Sequence, residues 1–171
     1  MRWMRLVVLA MAVPVVSVPA QQPSRVELGT MLGVSILSGN GQTEVVAAAP
    51  GGGTLLGTLP VLYANFSVTP HVTVEPQTYF LLSDGSLLVS GSLQVGYVAN
   101  PQAHTSPFVT AHGGLVYATG GDPSFMLGGS VGYRVIATDA LAIRIEGRYR
   151  RWLDGDVNDF GLLIGFGVRL H

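Results

Sequence analysis

At 171 residues the chain is the length of one domain, yet only 11% of it is charged and its mean hydropathy is +0.44. Soluble domains carry about a quarter charged residues, so this composition points to a surface that water alone does not cover. A net charge of −1 offers no hold on nucleic acid, and with no cysteine there is no disulfide, no thiolate metal site and no thiol nucleophile.

Arg2 and Arg5 precede a nearly unbroken apolar run, 6–18, and Val18-Pro19-Ala20 puts a small residue where cleavage would fall. This is the pattern of a secretory signal peptide, expected over residues 1–20, followed by a short polar tail, 21–24. The run is shorter than the ~20 apolar residues of a spanning helix. Elsewhere apolar stretches are broken by Gly, Ser, Thr and Pro. Such an export signal leads either to a soluble secreted protein or to a β-barrel in an outer membrane.

From Arg25 onward apolar and polar residues alternate, as in strands whose successive side chains point to opposite faces. Strand one sets Val26, Leu28, Thr30, Leu32, Val34 and Ile36 against Arg25, Glu27, Gly29, Met31, Gly33 and Ser35. Residues 39–54, with Gly51-Gly52-Gly53, are too glycine-rich for regular structure and read as the longest loop. A second strand spans about 55–68 with Leu56, Leu62, Ala64, Phe66 and Val68 on its apolar face. Leu59 and Val61 blur its parity, and Pro60 removes a ladder donor.

After the Thr69-Pro70-His71 turn, strand three alternates Val72, Val74, Pro76, Thr78, Phe80 and Leu82 with Thr73, Glu75, Gln77 and Tyr79. Strand four follows Ser83-Asp84-Gly85 and sets Leu87, Val89, Gly91, Leu93, Val95 and Tyr97 against Ser90, Ser92, Gln94 and Gly96. Strand five places Val109, Ala111, Leu115 and Tyr117 opposite Thr110, His112 and Gly114. Strand six places Phe125, Leu127, Val131, Tyr133 and Val135 opposite Met126, Gly128, Ser130, Gly132 and Arg134.

The closing hairpin, 140–171, is the clearest. Leu141, Ile143, Ile145, Gly147 and Tyr149 face away from Ala142, Arg144, Glu146, Arg148 and Arg150. Beyond Asp154-Gly155-Asp156, Phe160, Leu162, Ile164, Phe166, Val168 and Leu170 face away from Gly161, Gly165, Gly167 and Arg169. Leu163 is the one large apolar residue on that second face. A soluble sheet buries its apolar face in a core. Here the opposite face is lined with glycine and charge, so the apolar side is the one expected to meet lipid.

Eight strands with antiparallel neighbours close without a free edge. The expected fold is therefore all-β: an eight-stranded antiparallel up-and-down transmembrane β-barrel over 25–171, with a polar, glycine-rich interior and an apolar exterior. The charges sort accordingly. Arg25, Glu27, Glu75, Arg134, Arg144, Glu146, Arg148, Arg150 and Arg169 take the inward parity, and Arg151, at a strand end, is the outward exception. A charge at the lipid midplane costs roughly 2–4 kcal/mol, which would enforce such sorting. Phe66, Tyr97 and Tyr133 lie outward near one set of turns, and Phe80, Tyr117, Phe125, Tyr149 and Phe160 near the other. Two aromatic girdles at the headgroup layers are expected from them.

The signal peptide, the eight strands, the inward Arg/Glu set and the Thr69-Pro70-His71 turn resemble the small outer-membrane β-barrel proteins of Gram-negative bacteria. That group includes the transmembrane domain of outer membrane protein A. The resemblance covers the whole mature chain and implies an integral barrel of the cell outer membrane, surrounded by outer-membrane lipid. The last strand resembles the family's assembly signal in Gly165, Val168 and Leu170, which implies the barrel-insertion machinery as a partner. It departs from it in ending at His171 and not at an aromatic residue. An even strand count puts both termini in the periplasm and the 39–54 segment outside, where an extracellular contact would form.

The interior of an eight-stranded barrel is just wide enough for its side chains to fill it. The inward charges are expected to form an ion-pair network, with Glu27, Glu75, Arg134 and Arg169 in the periplasmic half and Arg144, Glu146, Arg148 and Arg150 continuing it. Catalytic, cofactor and metal sites are not expected. His71, His104, His112 and His171 lack metal-ligand spacing, and the inward parity of the strand histidines does not suit a lipid-facing Ser/His pair. Asp154 to Asp159 begins like a calcium loop but lacks its glycine, where Asp159 stands, and its glutamate, where Gly165 stands. It reads as a polar surface turn. The resulting expectation is a non-catalytic membrane barrel with a structural or loop-presenting role. The alternatives are a soluble exported lipocalin-like barrel, which would bind a small apolar ligand in an apolar interior, and a narrow ion-conducting barrel.

Overall fold

The computed structural model describes residues 26–39, 41–48, 57–58, 61–83, 86–154 and 156–170. The expected signal peptide, the 21–24 tail, Arg25 and His171 lie outside the described residues. The strands are β1 (Val26–Gly39), β2 (Gln42–Ala48), β3 (Gly57–Thr58), β4 (Val61–Ser67) and β5 (Val72–Ser83). They continue with β6 (Ser86–Val98), β7 (Thr105–Ala118), β8 (Ser124–Ile136), β9 (Leu141–Trp152) and β10 (Val157–Leu170).

One sheet runs β10-β9-β8-β7-β6-β5-β4-β1, and β1 pairs back onto β10 from Val26 opposite Leu170 to Ser38 opposite Asn158. That pairing closes an eight-stranded barrel whose wall neighbours are all antiparallel. Strands β5 to β10 are 12 to 14 residues long, more than the ~9–11 that cross a bilayer at a tilt. Both strand ends at residues 26 and 170 lie at the same rim as the β4–β5, β6–β7 and β8–β9 turns. This rim is called the terminal end and the opposite one the distal end.

Two of the terminal turns use one device. Thr69 Oγ1 accepts from the Val72 amide at 3.0 Å, and Thr138 Oγ1 accepts from the Leu141 amide at 3.0 Å. A hydroxyl thus stands in for a backbone carbonyl in each reversal.

Three expectations need correction. Within 39–54, residues 42–48 form a strand: β1 turns through Gly41, at φ 77°, into β2, which pairs from Gly39 opposite Gln42 to Gly33 opposite Ala48. Glycine at positive φ permits the tight reversal, and the Thr43–Val46 run favours a strand. Secondly, the second wall strand is not continuous over 55–68 in the described residues. Its terminal part is β4, which pairs with Val26–Met31 of β1; at the distal end β2 takes over that flank and pairs in parallel with β3. Val61 and Tyr63 are buried inward and Leu62 and Phe66 exposed outward, which resolves the blurred parity. Thirdly, Asp159 is not in a surface turn. Asp156 adopts φ 47° in the reversal, β10 begins at Val157, and Asp159 points into the barrel, 1% exposed.

The inside-to-outside distribution is the reverse of a soluble domain's. Val131 and Leu162 are each 62% exposed, whereas Glu146 is 0% exposed. Met31, Val61, Tyr63 and Leu163 form a small apolar cluster inside the wall of β1, β4 and β10. Elsewhere glycine lets the chain pack closely: a Cβ on Gly33 would fall 2.2 Å from the Leu162 carbonyl oxygen, and one on Gly128 2.1 Å from that of Tyr149. Gly33→Val therefore forces backbone apart and is expected to lower stability by roughly 1–3 kcal/mol. Gly91→Val, where a Cβ meets nothing within 4 Å, should leave it unchanged. Urea unfolding of both variants in lipid vesicles checks the contrast.

Candidate functional site

Polar chemistry in this molecule is concentrated in the lumen. Alternation along β9 delivers four charged residues in succession to it: Arg144, Glu146, Arg148 and Arg150 are all buried, while Ile145 and Tyr149 between them and Arg151 after them are exposed. Glu27 of β1, Glu75 of β5, Asp159 and Arg169 of β10 and Arg134 of β8 meet them. Each is buried apart from Arg134, whose side chain is 20% exposed. Arg25 lies outside the described residues.

These groups fall into separate sets. Toward the terminal end, Glu27 Oε2 takes Arg134 Nη2 at 2.5 Å, and its Oε1 accepts from the Tyr63 hydroxyl at 2.8 Å. Beside it, Glu75 accepts from Arg144 Nη1 at 2.6 Å, Asn65 Nδ2 at 2.7 Å and Gln77 Nε2 at 2.7 Å. The other Arg144 terminal nitrogen donates to Glu146 Oε2. Its guanidinium carbon lies 5.2 Å from the Tyr63 ring centre and 4.9 Å from that of Phe108, an arrangement in which both ring faces attract the cation. Arg144 thus ties β9 to β5 across the lumen, and Arg134 ties β8 to β1. Neither pair joins adjacent wall strands, so each braces the barrel across its diameter. A cavity of about 30 Å³ lies between Glu27, Glu75, Asn65, Gln94, Arg134 and Arg144, room for about one water.

Further toward the distal end, Arg150 donates from Nε to Asp159 Oδ2 at 2.8 Å and from Nη2 to the same oxygen. At the terminal mouth Arg169 Nη1 donates to the Asp139 carbonyl at 3.3 Å. Of the group expected in the periplasmic half, Glu27, Glu75 and Arg134 line one cavity at the terminal end and Arg169 lies opposite Glu27 in the β1–β10 register; Arg144 joins them through Glu75. Asp159, Tyr63, Asn65 and Gln77 belong to the network and were missed. Parity with Phe160 and Leu162 was the available signal for Asp159, masked by the aspartates of the turn before it.

On the outside, Phe66, Tyr97 and Tyr133 are exposed near the terminal end and Tyr117, Phe125, Tyr149 and Phe160 near the distal end. Phe80 is in β5, but its side chain lies outside the described residues. Tyr149 and Phe160 pack with ring centres 4.9 Å apart, and His71 stacks on Tyr97 at 5.6 Å. Among the described residues no three His, Asp or Glu side chains are placed to hold a metal ion, and no helix is long and apolar enough to cross a membrane.

No protein-family model and no curated protein sequence matches the chain. Solved structures do. Neisserial surface protein A superposes with a TM-score of 0.64 at 17% identity, over 85% of this chain and 97% of that one. The N-terminal β-barrel domain of Pseudomonas aeruginosa OprF matches at 0.58 and 12% identity, over 85% and 97%. Ail, the attachment invasion locus protein of Yersinia pestis, matches at 0.57 and 12%, over 87% and 100%. The fold is that of the small outer-membrane β-barrels. At these identities the likeness is one of architecture, and it agrees with the expected strand number and closure.

The network makes a quantitative demand. Glu146→Ala removes a fully buried partner of Arg144 and is expected to cost ~3–5 kcal/mol. Arg151→Ala breaks the exposed pair with Asp156, the two side chains being 55% and 79% exposed, and should cost at most ~1 kcal/mol. Equal shifts of the urea midpoint would show that the lumen pairs carry no special weight.

Proposed function

We propose that this protein is an integral outer-membrane β-barrel with a structural, loop-presenting role and no catalytic activity. The observation that carries the reading is the distribution of side chains, apolar outside and ionic inside a closed eight-stranded wall. A soluble barrel that stores an apolar ligand needs the reverse. The shared fold with Neisserial surface protein A, OprF and Ail supports the same assignment.

In this reading the first twenty residues are a cleaved signal peptide and the insertion machinery of the outer membrane assembles the barrel. Both termini lie in the periplasm, and the aromatic girdles sit at the two headgroup layers. The distal rim, including residues 39–54, faces outward and is the surface for any extracellular contact. The lumen is closed to ions: Arg144 and Arg134 each bind a carboxylate across it, Arg150 binds Asp159 of the adjoining strand, and the cavity beside Glu27 and Glu75 is water-sized.

An epitope inserted between Gly52 and Gly53 is expected to bind antibody on intact cells, and one fused after His171 only after the outer membrane is permeabilised. The opposite pattern would invert the orientation. Purified protein in planar bilayers is expected to show no regular conductance steps. Reproducible steps would replace the closed barrel by the narrow ion-conducting one.

A further inference from the structure

The distal half of the lumen holds donors that the rest of the chain does not use. Arg148 is 6% exposed, and its Nε and Nη1 are buried with no hydrogen-bond partner among the described residues. His112, also 6% exposed, has both ring nitrogens in the same condition. The register brings the two together. His112 of β7 lies opposite Gly128 of β8, which lies opposite Arg150 of β9; one step toward the terminal end, Thr110, Ser130 and Arg148 form the adjoining row. A Cβ on Gly128 would sit 2.6 Å from His112 Nε2 and 2.9 Å from Arg150 Cα, so the imidazole lies over the glycine and against β9.

Nearby groups are already committed. Asp159 Oδ2 holds Arg150, Glu146 Oε2 holds Arg144, and the Thr110 and Ser130 hydroxyls bond to each other at 2.7 Å. Arg148 is left as a buried guanidinium with Nε and Nη1 unbonded, next to a second arginine and an imidazole, and the Glu146 and Asp159 carboxylates that face it each already bind another arginine. A buried cation in that state is strongly unfavourable unless something pairs with it. Water bridging to the unpartnered Glu146 Oε1 or Asp159 Oδ1 is the competing way to satisfy these nitrogens.

We propose that Arg148 and His112 bind one small inorganic anion of halide size, chloride being the physiological choice. A halide accepts from guanidinium and imidazole N–H groups alike without demanding a fixed geometry. Its size follows from the packing. Met126 and Gln94 are 1% exposed and Ser90 2%, so the lumen is closely filled and suits the smallest anion over phosphate or an organic acid. The proposal concerns the lumen alone and does not depend on which side of a membrane the turns face.

The test uses the full barrel folded in zwitterionic detergent, with sodium chloride replacing sodium gluconate at constant ionic strength. The thermal midpoint is expected to climb by several degrees and then rise only with the logarithm of chloride concentration, the linkage signature of one site. Arg148→Gln should abolish the response, and His112→Gln should move its half-point to higher chloride. A flat wild-type response, or an equal response in R148Q, overturns the proposal. Should R148Q fail to fold, crystals of wild-type protein grown in bromide decide it. An anomalous peak in contact with Arg148 supports the site; a water there, or bromide at the surface only, overturns it.

Discussion

Closure of β1 onto β10 is the constraint from which the rest follows. A sheet in lipid has no water to satisfy an open edge, and the ladder from Val26–Leu170 to Ser38–Asn158 leaves none between these strands. Closing at eight strands fixes a lumen too narrow for bulk water and wide enough for side chains. The exterior must then be apolar, which makes the interior the one place for the polar residues of the strands. Glycine at Gly33 and Gly128 lets backbone approach where even a methyl group would collide with a neighbouring carbonyl.

The interior charges do more than fill space. If both faces were apolar, a one-residue slip in register would cost little. With Arg144, Glu146, Arg148 and Arg150 in sequence on one face of β9, such a slip drives all four into lipid at roughly 2–4 kcal/mol for each arginine near the midplane. The charges therefore specify register, and the cross-lumen pairs hold it. Arg144 is central: it joins Glu75 and Glu146 and stacks between Tyr63 and Phe108. The chain has nine arginines and no lysine. The planar guanidinium fork suits such multiple, fixed pairings better than an ammonium would.

Most of the wall was readable from alternation, because each strand separates two very different environments and its side chains record both. β9 and β10 were the plainest, since charge and glycine alternate there with large apolar residues. Strand two was obscured because Val61 and Tyr63 are apolar on the inside as well, where they pack with Met31 and Leu163. The β1–β2 hairpin was hidden by the glycine-rich residues that follow it. Which charges pair was not legible, because Glu75 and Arg144 are 69 residues apart and meet only through the stagger of a closed barrel. Asp159 was overlooked for a local reason: an aspartate-rich turn lies immediately before it.

Gel mobility of the protein from the outer-membrane fraction, with and without boiling in SDS, is the most direct test of a closed, lipid-embedded barrel. The structure predicts an SDS-resistant band when cold that changes mobility on heating, because β1 pairs with β10 from Val26 to Ser38 and offers detergent no edge there at which to begin opening the wall. Identical mobility in both samples, with the protein recovered in the soluble periplasmic fraction, would contradict it.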